Sequence, residues 1–165
     1  MNMIGALTTV VVFLLGATTT DAGSTQTMNI PNELFGAETC SIQLAAYVAI
    51  TDEFDPATAK VVFAIRNNSS KERYLIDAGR LRGMTFGEIA DNKFVPNDAF
   101  SSFTTEGRRT RTPLPPDETV YITVEMDIRP ILKAITSASI IVSCRVWNPE
   151  TEEICEVISL PIPVK

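Results

Sequence analysis

The chain has 165 residues, 20 acidic and 14 basic side chains, a net charge of −6 and no histidine. An acidic chain without a basic face argues against nucleic acid and anionic membranes as partners. Without histidine, Ser-His-Asp and Cys-His nucleophile systems and histidine-ligated zinc, copper and iron sites are excluded, so carboxylates and lysines carry whatever chemistry there is.

The first residues read MNMIGALTTVVVFLLGATTTDAGS. An apolar run from Ile4 to Leu15 is followed by small residues, with Thr20 and Ala22 placed for cleavage before Gly23. That is the pattern of a secretory signal peptide over 1–22, although its start carries no Lys or Arg. The run falls short of the ~20 apolar residues of a membrane span. The expectation is a secreted or periplasmic protein with no stable membrane span after cleavage. Residues 23–38, polar and small-rich with Pro31 and Gly36, read as a flexible leader. Residues 39–165 suffice for a single domain with its own core.

Several segments then alternate with period two, the pattern of a strand with one buried face. Ile42, Leu44, Ala46, Val48 and Ile50 share a face, as do Val61, Phe63 and Ile65, with Lys60 and Arg66 opposite. Asp55-Pro56 separates these two strands, and Asn67-Asn68-Ser69-Ser70 precedes a shorter one at 72–77. Residues 84–105 hold two or three short strands with Asp91-Asn92 as a hairpin tip. Leu114-Pro115-Pro116-Asp117-Glu118 leads into 119–126, where Val120, Ile122, Val124 and Met126 point one way. In DIRPILKAIT, 127–136, Ile128, Ile131, Leu132 and Ile135 follow helical spacing; Asp127 can cap the first turn and Pro130 is tolerated there. Strands at 139–147 and 153–160 follow, and Pro161 and Pro163 suit an edge or tail. Regular strands with Gly, Pro and Asn punctuation predict an all-β antiparallel sandwich with one short crossover helix.

CRVWNPETEEIC, 144–155, poses the cysteine question. If Pro149 and Glu150 form the tip of a type I turn, Trp147 faces Glu152 and Cys144 faces Cys155. Opposed Cβ atoms lie ~4.5–5.5 Å apart and a disulfide needs ~3.5–4.5 Å, so a Cys144–Cys155 staple is feasible. A bulge can shift that register. A bridge that uses Cys40, the third cysteine, and a fully reduced chain are the alternatives. Three cysteines at these spacings make neither a four-ligand zinc site nor a C-x-x-C redox motif, and no cofactor motif is present.

Four other clusters are candidates. Arg108, Arg109 and Arg111 in GRRTRT form a positive spot that can dock a carboxylate-rich partner, or a solvated loop. Asp52, Glu53 and Asp55 are oxygen ligands without the spacing of a calcium loop, and read as a turn. Glu150, Glu152, Glu153 and Glu156 make the last hairpin acidic, which keeps an edge soluble; a glycosidase needs two carboxylates across a cleft. Asn67 and Asn68 each begin an N-x-Ser sequon, which matters in a eukaryotic source.

VVFAIRNNSS, 61–70, followed by LPPDETVYITVEMD, 114–127, resembles bacterial immunoglobulin-like domains. The shared layout is an apolar strand, an Asn-Ser turn, a variable middle and Leu-Pro with an acidic residue before the next strand. The bacterial intracellular proteinase-inhibitor domain is similar, as are accessory sandwiches of secreted proteases. The resemblance covers 41–147 and implies an immunoglobulin-like sandwich. No cysteine sits in 60–66 and no Trp in 72–77, so the antibody-type bridge and its packing Trp are not implied, and no inhibitory motif matches. The expected function is an exported, non-enzymatic domain that binds another macromolecule, in the first place a protein, through end-loops around 92–112. A protease inhibitor, a carboxylate-dependent glycan hydrolase and a subunit of a surface or secretion assembly are the alternatives.

Overall fold

A computed structural model of the chain describes residues 30–49, 59–77, 81–101, 110–134 and 139–163. The expected signal peptide, Asp52, Glu53, Asp55, Arg108 and Arg109 lie outside these residues. Strands β1 (Ile42–Ala49), β2 (Ala59–Asn67) and β7 (Thr119–Met126) form one antiparallel sheet with β2 in the middle. The larger sheet is centred on β8 (Ser139–Trp147). One side of β8 pairs with β9 (Ile154–Ile158). Its other side pairs with β3 (Arg73–Asp77) at one end and β4 (Met84–Ala90) further along. β5 (Lys93–Ser101) lies outside β4, and β6 (Thr110–Leu114) lies outside β3. The short β10 (Ile162–Pro163) pairs with the start of β8.

Pairing β1-β2-β7 against β3-β8-β9 reproduces the A-B-E and C-F-G strand sets of an immunoglobulin-like sandwich. The β4–β5 hairpin is an insertion between the third strand and its edge neighbour. The core follows from the alternation: Ile42, Leu44, Val61, Phe63, Ile65 and Ile122 from the smaller sheet meet Leu75, Met84, Phe86, Leu114, Val142, Val146 and Val157 from the larger. The Phe63 and Phe86 rings meet edge to face at 6.1 Å across the two sheets.

Local chemistry explains the connections. Asp91 and Asn92 both take positive φ between Ala90 and Lys93, which pair directly, so the expected hairpin tip is a primed-type turn. Helix α1 (Arg129–Ala134) crosses between β7 and β8, and Asp127 Oδ1 accepts the Arg129 backbone N–H at 2.9 Å. Ile131 in the helix and Ile128 just before it are buried. Asn67, at the end of β2, has no exposed surface. Its Nδ2 donates to the carbonyls of Lys71, Leu114 and Pro115, and its Oδ1 accepts the Ser69 N–H. One side chain thus ties the smaller sheet to β6 of the larger. Asn68 is exposed and donates to Glu38 and Gln43.

Residues 30–38 are the described part of the expected leader, and they are not loose. Ile30 and Phe35 are buried with Ala45, Ala64, Tyr47 and Tyr121 on the outer face of the smaller sheet. The Arg66 guanidinium stacks 3.9 Å over the Phe35 ring and donates to Asn32 Oδ1 at 2.9 Å. Gly36 N–H donates to the Leu44 carbonyl, and a Cβ at Gly36 would strike the Ile158 carbonyl.

The disulfide corrects the sequence expectation. It joins Cys40 to Cys155, with Cα atoms 6.4 Å apart, and Cys144 is a buried free thiol. Cys155 pairs with Val146, and Cys144 with Val157, two residues away from the expected Cys144–Cys155 register. The connection explains the shift. Asn148 Oδ1 accepts the Glu150 N–H, Glu152 turns through positive φ, and Asn148 N–H closes on the Glu153 carbonyl. Residues 148–153 therefore loop out instead of turning at Pro149-Glu150. A two-residue shift keeps every side chain on its face, so Cys155 stays on the inner side and meets Cys40 from the turn before β1.

Candidate protein-interaction face

Four strands of the larger sheet line up one row of side chains on its outer face. Pro113 on β6 opposes Tyr74 on β3, Tyr74 opposes Trp147 on β8, and Trp147 opposes Ile154 on β9. Directly opposed residues share a face, and strands lie ~4.8 Å apart, so the row spans roughly 14 Å. The Tyr74 and Trp147 rings are 5.6 Å apart at a tilt of 47°. Ile154, at 57% exposure, is the most exposed large hydrophobic residue among those described.

Arg111 lies two residues before Pro113 and so on the same face. Its guanidinium sits 3.7 Å over the Trp147 ring. This corrects the expected setting of the arginine cluster: Arg111 is on edge strand β6, not in an end-loop, and its side chain reaches across β3 to β8. Cation–π contacts of this kind contribute about 0.5–1 kcal/mol when exposed.

The reverse side of these strands fixes the row. Leu75, Leu114 and Val146 are buried in the core directly behind it. Buried Asp77 holds β6 on β3: its carboxylate accepts Thr112 Oγ1–H at 3.0 Å and Arg82 Nε–H at 2.7 Å, and its carbonyl accepts Thr110 Oγ1–H. The Tyr74 hydroxyl donates to Glu72, and that bond, helped by burial, raises the phenol above its ordinary value and keeps it a neutral donor.

Three of the four carboxylates of the last hairpin serve local contacts. Glu150 pairs with Lys71 at 3.3 Å and with Arg73 at 3.7 Å, Glu153 accepts Thr151 Oγ1–H, and Glu156 accepts Ser143 Oγ–H. Among the described residues no group of three or more Cys, Asp or Glu side chains is arranged to hold a metal. No helix among them is long and apolar enough to cross a membrane. The disulfide is compatible with an extracellular or periplasmic protein.

Tyr74, Trp147 and Ile154 were not among the sequence candidates. The available signal was the single tryptophan at the end of a strand, but its neighbours follow only from the register of the last hairpin and from pairing with β3 and β6, which are distant in sequence.

No family model matches the chain, and no curated protein matches it. Among solved structures, the X-ray structure of Northeast Structural Genomics Consortium target SoR45 is similar at a TM-score of 0.35 and 17% identity, over 75% of this chain and 87% of that one. A likeness at that level carries no argument about function.

Proposed function

We propose that this protein is an exported, non-enzymatic immunoglobulin-like domain that binds another protein through the outer face of its larger sheet. The observation that carries the reading is Arg111 placed 3.7 Å over the Trp147 ring, in the row between Tyr74 and exposed Ile154. Trp, Tyr and Arg dominate the energetic centres of protein interfaces, and here they converge on a rigid surface backed by core. Export is supported by the apolar run and small residues of 1–22 and by a disulfide suited to an oxidising compartment. The likeness to inhibitor domains makes a protease the first partner to assay.

The test is affinity capture from the source's secreted or periplasmic fraction, with the wild-type chain and Tyr74→Ala/Ile154→Ser run in parallel. A protein held stoichiometrically by the wild type and lost by the variant supports the reading. Equal recovery by both contradicts it.

A further inference from the structure

We infer that the partner presents a carboxylate to Arg111, on a protein segment that lays apolar side chains along the Tyr74–Trp147–Ile154 row. This rests on reading the face as an interface, and it names what occupies it. Among the described residues two arginines lie over aromatic rings, and their surroundings differ. Arg66 over Phe35 also donates to Asn32 Oδ1 and Thr119 Oγ1. Its stack is part of the packing of the chain on itself. Arg111 over Trp147 makes no hydrogen bond or ion pair among the described residues. Arg82 and Arg129 are committed to Asp77 and Asp127, and Arg73 contacts the Glu72 carbonyl and Glu150. Arg111 thus keeps its donors over the Trp147 ring with no hydrogen-bond or ion-pair partner among the described residues.

That geometry selects one occupant. A guanidinium already held over an indole loses little freedom when it forms two parallel bonds to a carboxylate. A sugar ring has no access to the indole face that Arg111 covers. A second copy of this chain is disfavoured as well. The guanidinium lies over Trp147, in the middle of the row, so two-fold pairing of the face would bring two cations together in a desolvated centre. An acidic residue flanked by apolar ones satisfies the charge and the row at once.

A side-chain carboxylate and a chain terminus offer the same chemistry, and three peptides separate them: Ac-Val-Glu-Val-NH2, Ac-Val-Gln-Val-NH2 and Ac-Val-Gln-Val-OH. Trp147 is the single tryptophan of the chain, so emission of the full-length protein reports this face. The expected result is a saturable change with the Glu peptide, at least tenfold weaker with the amidated Gln peptide and equally reduced in Arg111→Gln. Arg111→Lys, which keeps charge without the planar fork, should fall between. A response to the free-terminus peptide matching that of the Glu peptide supports a chain end as source, and a response to the Glu peptide alone supports a side chain. Equal binding of Glu and amidated Gln peptides, unchanged by Arg111→Gln and lost in Trp147→Ala, overturns the carboxylate and leaves the face standing. No saturable response to any peptide overturns the inference, while the capture comparison judges the face separately.

Discussion

Cys155 stands directly opposite Val146, with Cys144 opposite Val157. That register gives the larger sheet its tie to the turn before β1. Non-reducing peptide mapping should recover Cys40 linked to Cys155 and Cys144 as a free thiol. The bridge spans 115 residues of sequence, so its loss in Cys40→Ser should cost about 2–5 kcal/mol in urea unfolding. Recovery of a Cys144–Cys155 peptide from native material would overturn this register.

Cys144 should behave as a core residue. Burial, with the charge of Glu156 adding, pushes its thiol from 9.0 up to about 12. It should resist alkylation in the folded protein and react only on unfolding. The pH dependence has a definite sign. The folded thiol keeps its proton between pH 9 and about 12, where the unfolded thiol releases it, so the contribution is complete below pH 9 and is lost as pH rises. Urea melts should show the wild type losing up to about 1.4 kcal/mol per pH unit more than Cys144→Ala across that window. Parallel curves would contradict the assignment.

Asn67 is a structural tie between the sheets. Asn67→Ala would leave the buried Leu114 carbonyl without the donor it has now. The expected loss is about 2–4 kcal/mol by chemical denaturation. Asn67→Asp should be at least as costly, because a carboxylate only accepts and would face three carbonyls. A loss below about 1 kcal/mol for both variants would mean that the network contributes no more than a typical exposed hydrogen bond.

The segment that covers the smaller sheet should be integral to stability. Phe35 is buried against Ala45, Ala64 and Arg66, and Phe35→Ala should cost about 3 kcal/mol. Hydrogen exchange of the Gly36 amide, bonded to the Leu44 carbonyl, should quicken in that variant. A Gly36 amide that exchanges at the rate of an open chain in the wild type would contradict the packing.

Much of the scaffold was legible because one face of each strand had to be apolar. Val61, Phe63 and Ile65, or Ile140, Val142 and Val146, announce their sheets by alternation, and Asp91-Asn92 announces its turn by tolerance of positive φ. The signal failed where burial is one-sided and sparse. β6 offers the core only Leu114 and half-buried Thr112, so Thr110–Leu114 reads as a polar loop. Ile30 and Phe35 are isolated apolar residues with no period, so their docking on the sheet has no trace in the pattern. The register of β8 and β9 depends on an Asn148 side chain bonding to the Glu150 N–H, a contact that counting from Pro149 cannot supply. The candidate face combined these difficulties, since Tyr74, Trp147, Ile154 and Arg111 meet only once three registers, β6–β3, β3–β8 and β8–β9, are fixed.

Whether the outer face of the larger sheet meets a partner is read by site-specific photo-crosslinking. A photoreactive side chain would replace exposed Ile154, with a control at Glu125, whose side chain is 68% exposed on the outer face of the smaller sheet. Each protein would be irradiated in the source's secreted or periplasmic fraction. One discrete protein adduct is expected from position 154 and none from position 125. Adducts of equal yield from both positions, or none from position 154, would contradict it.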